Sequence, residues 1–275
     1  MKTKAYRLAL FAIISGFLAV GVSSCKSCKE EKKESPEVTK EIIKEEIEAY
    51  TYPLPSTFEI TNMLNEIEAS YIYGIANDPE KVDKYFSEKS KAVNLGIYSA
   101  DLAYATTYNQ KSDVQKYFEA SETLIRELDF TAAFDENLPD QIDANLDNKD
   151  KLVEIVTDMF QKAYSFLNNQ GRTEVSYLIL AGTVIEGLYL TTHISENTFQ
   201  NPKILEAILF QKEPLTKLET MMEKYKESEL VKETYENIKS INAVYALEEG
   251  TTSFSQEQVE KLTDTLNNIR KELIQ

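Results

Sequence analysis

From residue 56 onward, apolar residues recur every three or four positions, and no stretch alternates with period two for long enough to form a strand. The pattern predicts an all-α chain, a multi-helix bundle or a short α-solenoid of antiparallel helical hairpins, with no sheet. Ser56 and Glu59 have capping-box spacing, and Ile60, Met63/Leu64, Ile67, Tyr71 and Ile75 follow at helical period. Asp78-Pro79 restarts the chain as N-cap and first residue of a short helix carrying Val82, Tyr85 and Phe86. Helices are expected at about 89–109 and, opened by Ser112 with Gln115, to about 128. Pro139 and several Asp mark an irregular connection over 130–148. Later helices are expected at about 149–169, stopped by Gly171, and at 173–194, 202–211, 214–225 and 228–246. Pro214 breaks or kinks the chain between two of them, and Gly250 ends that region. Ser255 with Gln258 caps the last helix, whose stripe is Val259, Leu262, Leu266, Ile269 and Leu273.

Two of these helices differ from the rest. Residues 92–109 contain one charge, Asp101, and residues 175–195 contain Glu186 and the chain's single histidine, His193. Both are rich in small residues, which let helix backbones approach closely. Near-absence of charge on every face means burial on most sides, so these are expected to be the central pair. They also align: a shift of 85 residues places Asp101 on Glu186, Tyr104 on Tyr189, Thr106-Thr107 on Thr191-Thr192 and Tyr108 on His193. With a shift of 93, Ile60, Met63, Ile67 and Tyr71 fall on Val153, Val156, Phe160 and Tyr164. Internal duplication, with repeats at about 57–129 and 149–212, explains the match. Chance similarity between short helices of like composition explains it equally well.

An acid in each central helix is the sharpest feature. A buried carboxylate must be paired, protonated or solvated. One reading has each acid bonded to Tyr, Thr or a helix N-terminus and fixing helix register. The other has a polar cleft between the two helices, lined by Asp101, Tyr104, Tyr108, Glu186, Tyr189 and His193, that binds a small ligand. Carboxylate catalysis across a sugar-sized cleft is disfavoured, since no Trp is present to stack a sugar. The acids of 140–150 lack an EF-hand's glycine and closing glutamate, so a solvated loop is expected there. P-loop, GxGxxG, GxSxG and HExxH patterns are absent.

The chain opens with an address. Lys2, Lys4 and Arg7 precede residues 8–22, a run of 15 without a charge, too short for a bilayer span and suited to a signal-peptide core. Val22-Ser23-Ser24-Cys25 follows and resembles the lipobox of bacterial lipoproteins. That resemblance implies a signal peptide at 1–24, cleavage before Cys25 and lipid attached to Cys25, hence anchoring in a membrane. Residues 26–49 carry six Lys and eight Glu with no Gly or aromatic residue. Such a run cannot bury a core, and 25–52 is read as a charged, partly helical tether. The domain proper is then 53–275. Cys28 would be a leftover thiol.

Composition narrows the function. The formal charge is −16, which argues against nucleic-acid binding and, once Lys2, Lys4 and Arg7 are removed, is more negative still. Two Cys near the N-terminus and one His exclude a disulfide scaffold and a multi-His metal site, and no cofactor is expected.

The runs Asn62-Met63-Leu64-Asn65, Tyr98-Ser99-Ala100-Asp101-Leu102 and Leu180-Ala181-Gly182-Thr183-Val184-Ile185-Glu186-Gly187-Leu188-Tyr189 resemble an uncharacterised group of all-helical Bacteroidota envelope lipoproteins. The resemblance implies placement in a Gram-negative cell envelope, on the outer membrane, and no known activity. Two functions are expected to compete: a non-enzymatic protein-binding or scaffolding domain with an envelope protein as partner, and a small-ligand-binding module using the Asp101/Glu186 cleft.

Overall fold

The computed structural model describes residues 70–193, 198–246 and 253–275. The proposed signal peptide, Cys25, Cys28, the tether, the stripe from Ile60 to Ile67 and Gly250 lie outside the described residues.

The chain enters as an irregular strap at 70–78. Tyr71 and Ile75 were expected in a helix. Gly74 at φ 82° instead turns the backbone where a helix would have to continue. Asp78 then caps a 3₁₀ turn, Pro79–Lys84, by accepting from Glu80 N. Tyr85 behind it is buried, but Phe86, expected on the same buried face, is 85% exposed.

Helix α1 (Glu88–Thr107) starts in a capping box formed by Ser87 and Ser90, and every residue from Ala92 to Thr107 is buried. Asn109 at φ 58° turns the chain into α2 (Lys111–Glu127). The box expected from Ser112 and Gln115 does not form. The helix begins one residue earlier, so Ser112 lies inside its first turn and no side chain caps it. The stretch expected to be irregular contains a 3₁₀ turn, Thr131–Ala133, and a short α3 (Leu138–Ala144). Pro139 sits in the first turn of α3, where its missing N–H costs nothing. Helix α4 (Lys149–Asn169) ends at Gly171, φ 73°, and α5 (Thr173–His193) follows.

Beyond α5, Asn201 caps α6 (Pro202–Phe210) by accepting from Lys203 N. The chain breaks at Gln211, before Pro214, and α7 (Lys212–Glu223) carries that proline in its first turn. Helix α8 (Lys232–Val244) begins later than expected. Helix α9 (Gln256–Leu273) opens in the expected Ser255/Gln258 capping box. Nine α-helices and no strand are present among the described residues.

Helices α1 and α5 form the centre and run parallel. Arg172, just before α5, bonds Glu88 at the start of α1 at 2.8 Å, and Gly96 meets Gly182 further along. The remaining helices lay their apolar stripes on this pair. In α9 the buried apolar residues are Val259, Leu262, Leu266 and Ile269, each contributing about 1.5–3 kcal/mol by leaving water. Helix α5 is long and apolar enough to cross a bilayer by composition, but almost its whole length is buried in the domain, which is sufficient reason for that composition.

Candidate functional site

The parallel register of α1 and α5 brings Asp101 and Glu186 to one level of the core, and both side chains are fully buried. Their counter-charge comes from α9. Arg270 Nε donates to Glu186 Oε2 at 2.6 Å, and Nη2 donates to Glu186 Oε1 at 2.7 Å. This two-pronged pairing uses the planar fork that only arginine offers. Nη2 also donates to Ile75 O in the strap at 3.1 Å. The guanidinium carbon lies 3.9 Å from the centre of the Tyr189 ring, which itself stacks on His193 at 4.1 Å. His193 Nδ1 is 2.8 Å from Tyr189 O; a carbonyl only accepts, so Nδ1 carries the hydrogen in that bond.

Asp101 has fewer partners. Its Oδ2 accepts from Asn77 N at 3.1 Å, while Oδ1 has no donor. The Asn77 side chain donates to Tyr85 Oη at 2.9 Å and, at 3.4 Å, to Asn94 Oδ1. Asn94 Nδ2 in turn donates to Leu273 O at the end of α9. A polar network thus ties four segments together: the strap through Ile75 and Asn77, α1 through Asn94 and Asp101, α5 through Glu186, and α9 through Arg270 and Leu273.

Electrostatics follow from burial and charge. Desolvation, and then the neighbouring Glu186 charge, push the Asp101 carboxyl well above the usual carboxylate range, against an opposing pull from Arg270. Desolvation works against the Arg270 cation, but the charge and bonds of Glu186 more than offset it and hold the guanidinium protonated. Burial raises the Tyr104 phenol to about 12.

The six residues singled out in the sequence divide into two groups around the paired acids. Tyr189 and His193 lie on the Arg270 side. Tyr104 and Tyr108 lie under the strap, with Tyr71 stacked on Tyr104 at 4.7 Å. The Tyr104 hydroxyl accepts from Ile72 N at 2.9 Å, and the Tyr108 hydroxyl is buried without a partner. At this level Arg270 bonds Glu186 and Asn77 N bonds Asp101.

Sequence reasoning missed Arg270, Asn77 and Asn94. A signal for Arg270 was present. A buried acid needs a cation, and beyond the leader the chain has only Arg126, Arg172 and Arg270 as arginines. Of these, Arg270 adjoins the apolar stripe of the last helix, four residues after Leu266. Asn77 reaches Asp101 through its backbone N–H, which leaves no mark in sequence.

On the surface, the 131–144 connector is flanked by two hollows. One, of about 430 Å³, lies against α4 and is lined by Phe134, Leu138, Ile155 and Met159 among charged residues. The other, of about 330 Å³, lies against α2, with Phe118, Ile125, Phe134 and Leu138 in its wall. No cluster of three or more His, Cys, Asp or Glu suited to a metal ion occurs among the described residues. Comparison of the chain with protein-family models, with curated proteins and with solved structures finds no match.

Proposed function

We propose that this protein is a lipid-anchored lipoprotein of a Gram-negative cell envelope, on the outer membrane, of the Bacteroidota type its sequence resembles. Its helical domain binds or scaffolds another envelope protein without catalysing a reaction. The anchor half of this reading is supported by the basic leader, the uncharged run and the lipobox-like residues ending at Cys25. Two or three acyl chains on one cysteine hold a protein on a membrane stably, since each buried CH₂ contributes about 0.8 kcal/mol. The charged run at 26–49 would stand the domain off the bilayer.

One observation carries the binding half. Both central acids are engaged inside the domain, Glu186 by Arg270 and Asp101 by Asn77, so recognition falls to the outer surface. There the two hollows beside the connector place apolar side chains within a charged rim, the usual make-up of a modest protein-docking surface.

The test is made in cells. The expected result is that the wild-type chain takes up an alkyne-tagged fatty acid and sediments with membranes, while Cys25→Ser does neither. A photo-crosslinker at Phe134 or Leu138, both partly exposed and in the wall of both hollows, is expected to trap a discrete protein, and one at exposed Lys261 on α9 is not. Equal membrane retention of Cys25→Ser would contradict the anchor. Adducts that do not depend on position would contradict the docking surface.

A further inference from the structure

We propose that Asp101 is a neutral carboxylic acid in the folded protein at neutral pH, that it donates its hydrogen to Glu186, and that ionising it releases the 70–78 strap. The charge count comes first. Asp101 and Glu186 are both fully buried, and Arg270 is the only buried Lys, Arg or His among the described residues. Two carboxylates against one guanidinium leave one negative charge without compensation in a site closed to water, an arrangement that resolves by taking up a proton.

The hydrogen bonds say which group holds it. Each Glu186 oxygen already accepts a guanidinium N–H. Asp101 Oδ2 accepts from Asn77 N, and Asp101 Oδ1, though buried, meets no donor. A hydrogen on Oδ1 turns that orphaned acceptor into a donor and removes the unbalanced charge in the same step. Its acceptor is at hand, because the Asp101 and Glu186 carboxyls lie within hydrogen-bonding reach of each other. The other titratable groups around Asp101 are phenols: Tyr98 and Tyr104 on α1, Tyr117 on α2, and Tyr85 after the 3₁₀ turn. Burial raises all four, so they stay neutral and supply no charge.

The strap is a lightly buried cover over this centre. It is not helical, and of residues 70–78 only Asn77 is buried. Two of its anchors enter the centre directly, Asn77 N to Asp101 and Ile75 O to Arg270. When Asp101 ionises beside Glu186, the second buried charge is relieved by water. Water has its shortest route where the strap lifts, since segments with few buried contacts open first.

The test uses the full chain labelled with ¹³C in Asp side chains, followed by NMR as pH is raised, together with amide exchange of the strap. The Asp101 side-chain carbon is expected at the protonated position at neutral pH. In Glu186→Gln, where Arg270 is left for Asp101 alone, it is expected to be ionised at the same pH. Strap exchange in the wild type should accelerate beyond the tenfold per pH unit of base-catalysed chemistry once Asp101 ionises, and in Asp101→Asn it should not. An ionised Asp101 at neutral pH in the wild type overturns the proposal, and so does a protonated Asp101 in Glu186→Gln. Identical strap exchange in wild type and Asp101→Asn overturns the release step. If Asp101→Asn does not fold, the carbon shifts of the wild type and Glu186→Gln still decide the protonation.

Discussion

Gly96 and Gly182 meet backbone to backbone where α1 crosses α5. A β-carbon on Gly96 would overlap the Ile179 carbonyl oxygen and come 2.8 Å from Thr183 N. One on Gly182 would overlap the Val93 carbonyl oxygen and come 3.2 Å from the Gly96 α-carbon. The contact is reciprocal: a shift of 86 residues exchanges Val93 with Ile179 and Gly96 with Gly182. Each glycine hydrogen therefore faces the opposite helix's carbonyl, a weak but recurrent contact of close helices. This approach sets Asp101 beside Glu186.

Alanine at either glycine would have to push the backbones of α1 and α5 away from each other rather than displace a side chain. Overpacking ordinarily costs about 1–3 kcal/mol, and with backbone as the obstacle each substitution should reach about 3 kcal/mol or more. Urea unfolding of Gly96→Ala and Gly182→Ala checks this; a loss below about 1 kcal/mol for either would mean that the helices separate easily.

Two tyrosines, Tyr104 in α1 and Tyr108 at its C-terminal cap, should respond differently to losing their hydroxyl. Tyr104 accepts from Ile72 N, so Tyr104→Phe strands a strap N–H and should cost about 1 kcal/mol or somewhat more. The Tyr108 hydroxyl is buried with no partner, so Tyr108→Phe should be neutral or slightly stabilising. Thermal unfolding of the two variants side by side distinguishes them, and equal losses would contradict this assignment.

The same contrast holds for two serines that look alike in sequence. Ser255 accepts from Gln258 N, and Ser255→Ala should cost about 1 kcal/mol. Ser112 lies past the helix start and makes no cap, so Ser112→Ala should change stability little. Denaturant midpoints at constant slope are the measurement.

Stability should fall as pH rises toward neutral. The Asp101 carboxyl is raised in the folded state, by burial and then by Glu186, whereas in the unfolded chain it titrates near about 3.9. The folded state therefore holds a proton that the unfolded state has lost. The stabilisation is complete below about pH 4 and declines by about 1.4 kcal/mol per unit until folded Asp101 ionises. Subtracting the pH profile of Asp101→Asn from that of the wild type isolates this slope; a difference that does not change with pH would contradict it.

Much of the fold is legible in sequence. The uncharged runs around Asp101 and Glu186 mark the central helices, because a helix without a polar face has nowhere to sit but inside. Gly171 and Ser255 mark helix ends through backbone chemistry confined to one or two residues. Other errors have local causes. The apolar spacing through Tyr71 and Ile75 imitates a helix across Gly74, and Ser112 imitates a cap two residues past the actual cap position, Gln110. The site is only half legible. Asp101 and Glu186 stand out by their surroundings, but their partners come from a helix about 84 residues further on and from backbone groups of the strap. No local pattern encodes a meeting of that kind.

The central claim is that Asp101, Glu186 and Arg270 form one internal network serving the fold. A double-mutant cycle of Glu186→Gln and Arg270→Met in equilibrium unfolding tests it most directly. Arg270→Met should cost about 3–5 kcal/mol, because it leaves a buried acid uncompensated. Glu186→Gln should cost about 2 kcal/mol, since Asp101 remains to meet the guanidinium. The double variant should be less destabilised than the sum of the two, with a coupling of about 1–3 kcal/mol. Additive losses, or a neutral or more stable Arg270→Met, would contradict the account and mean that the acids are kept at the expense of stability for some other purpose.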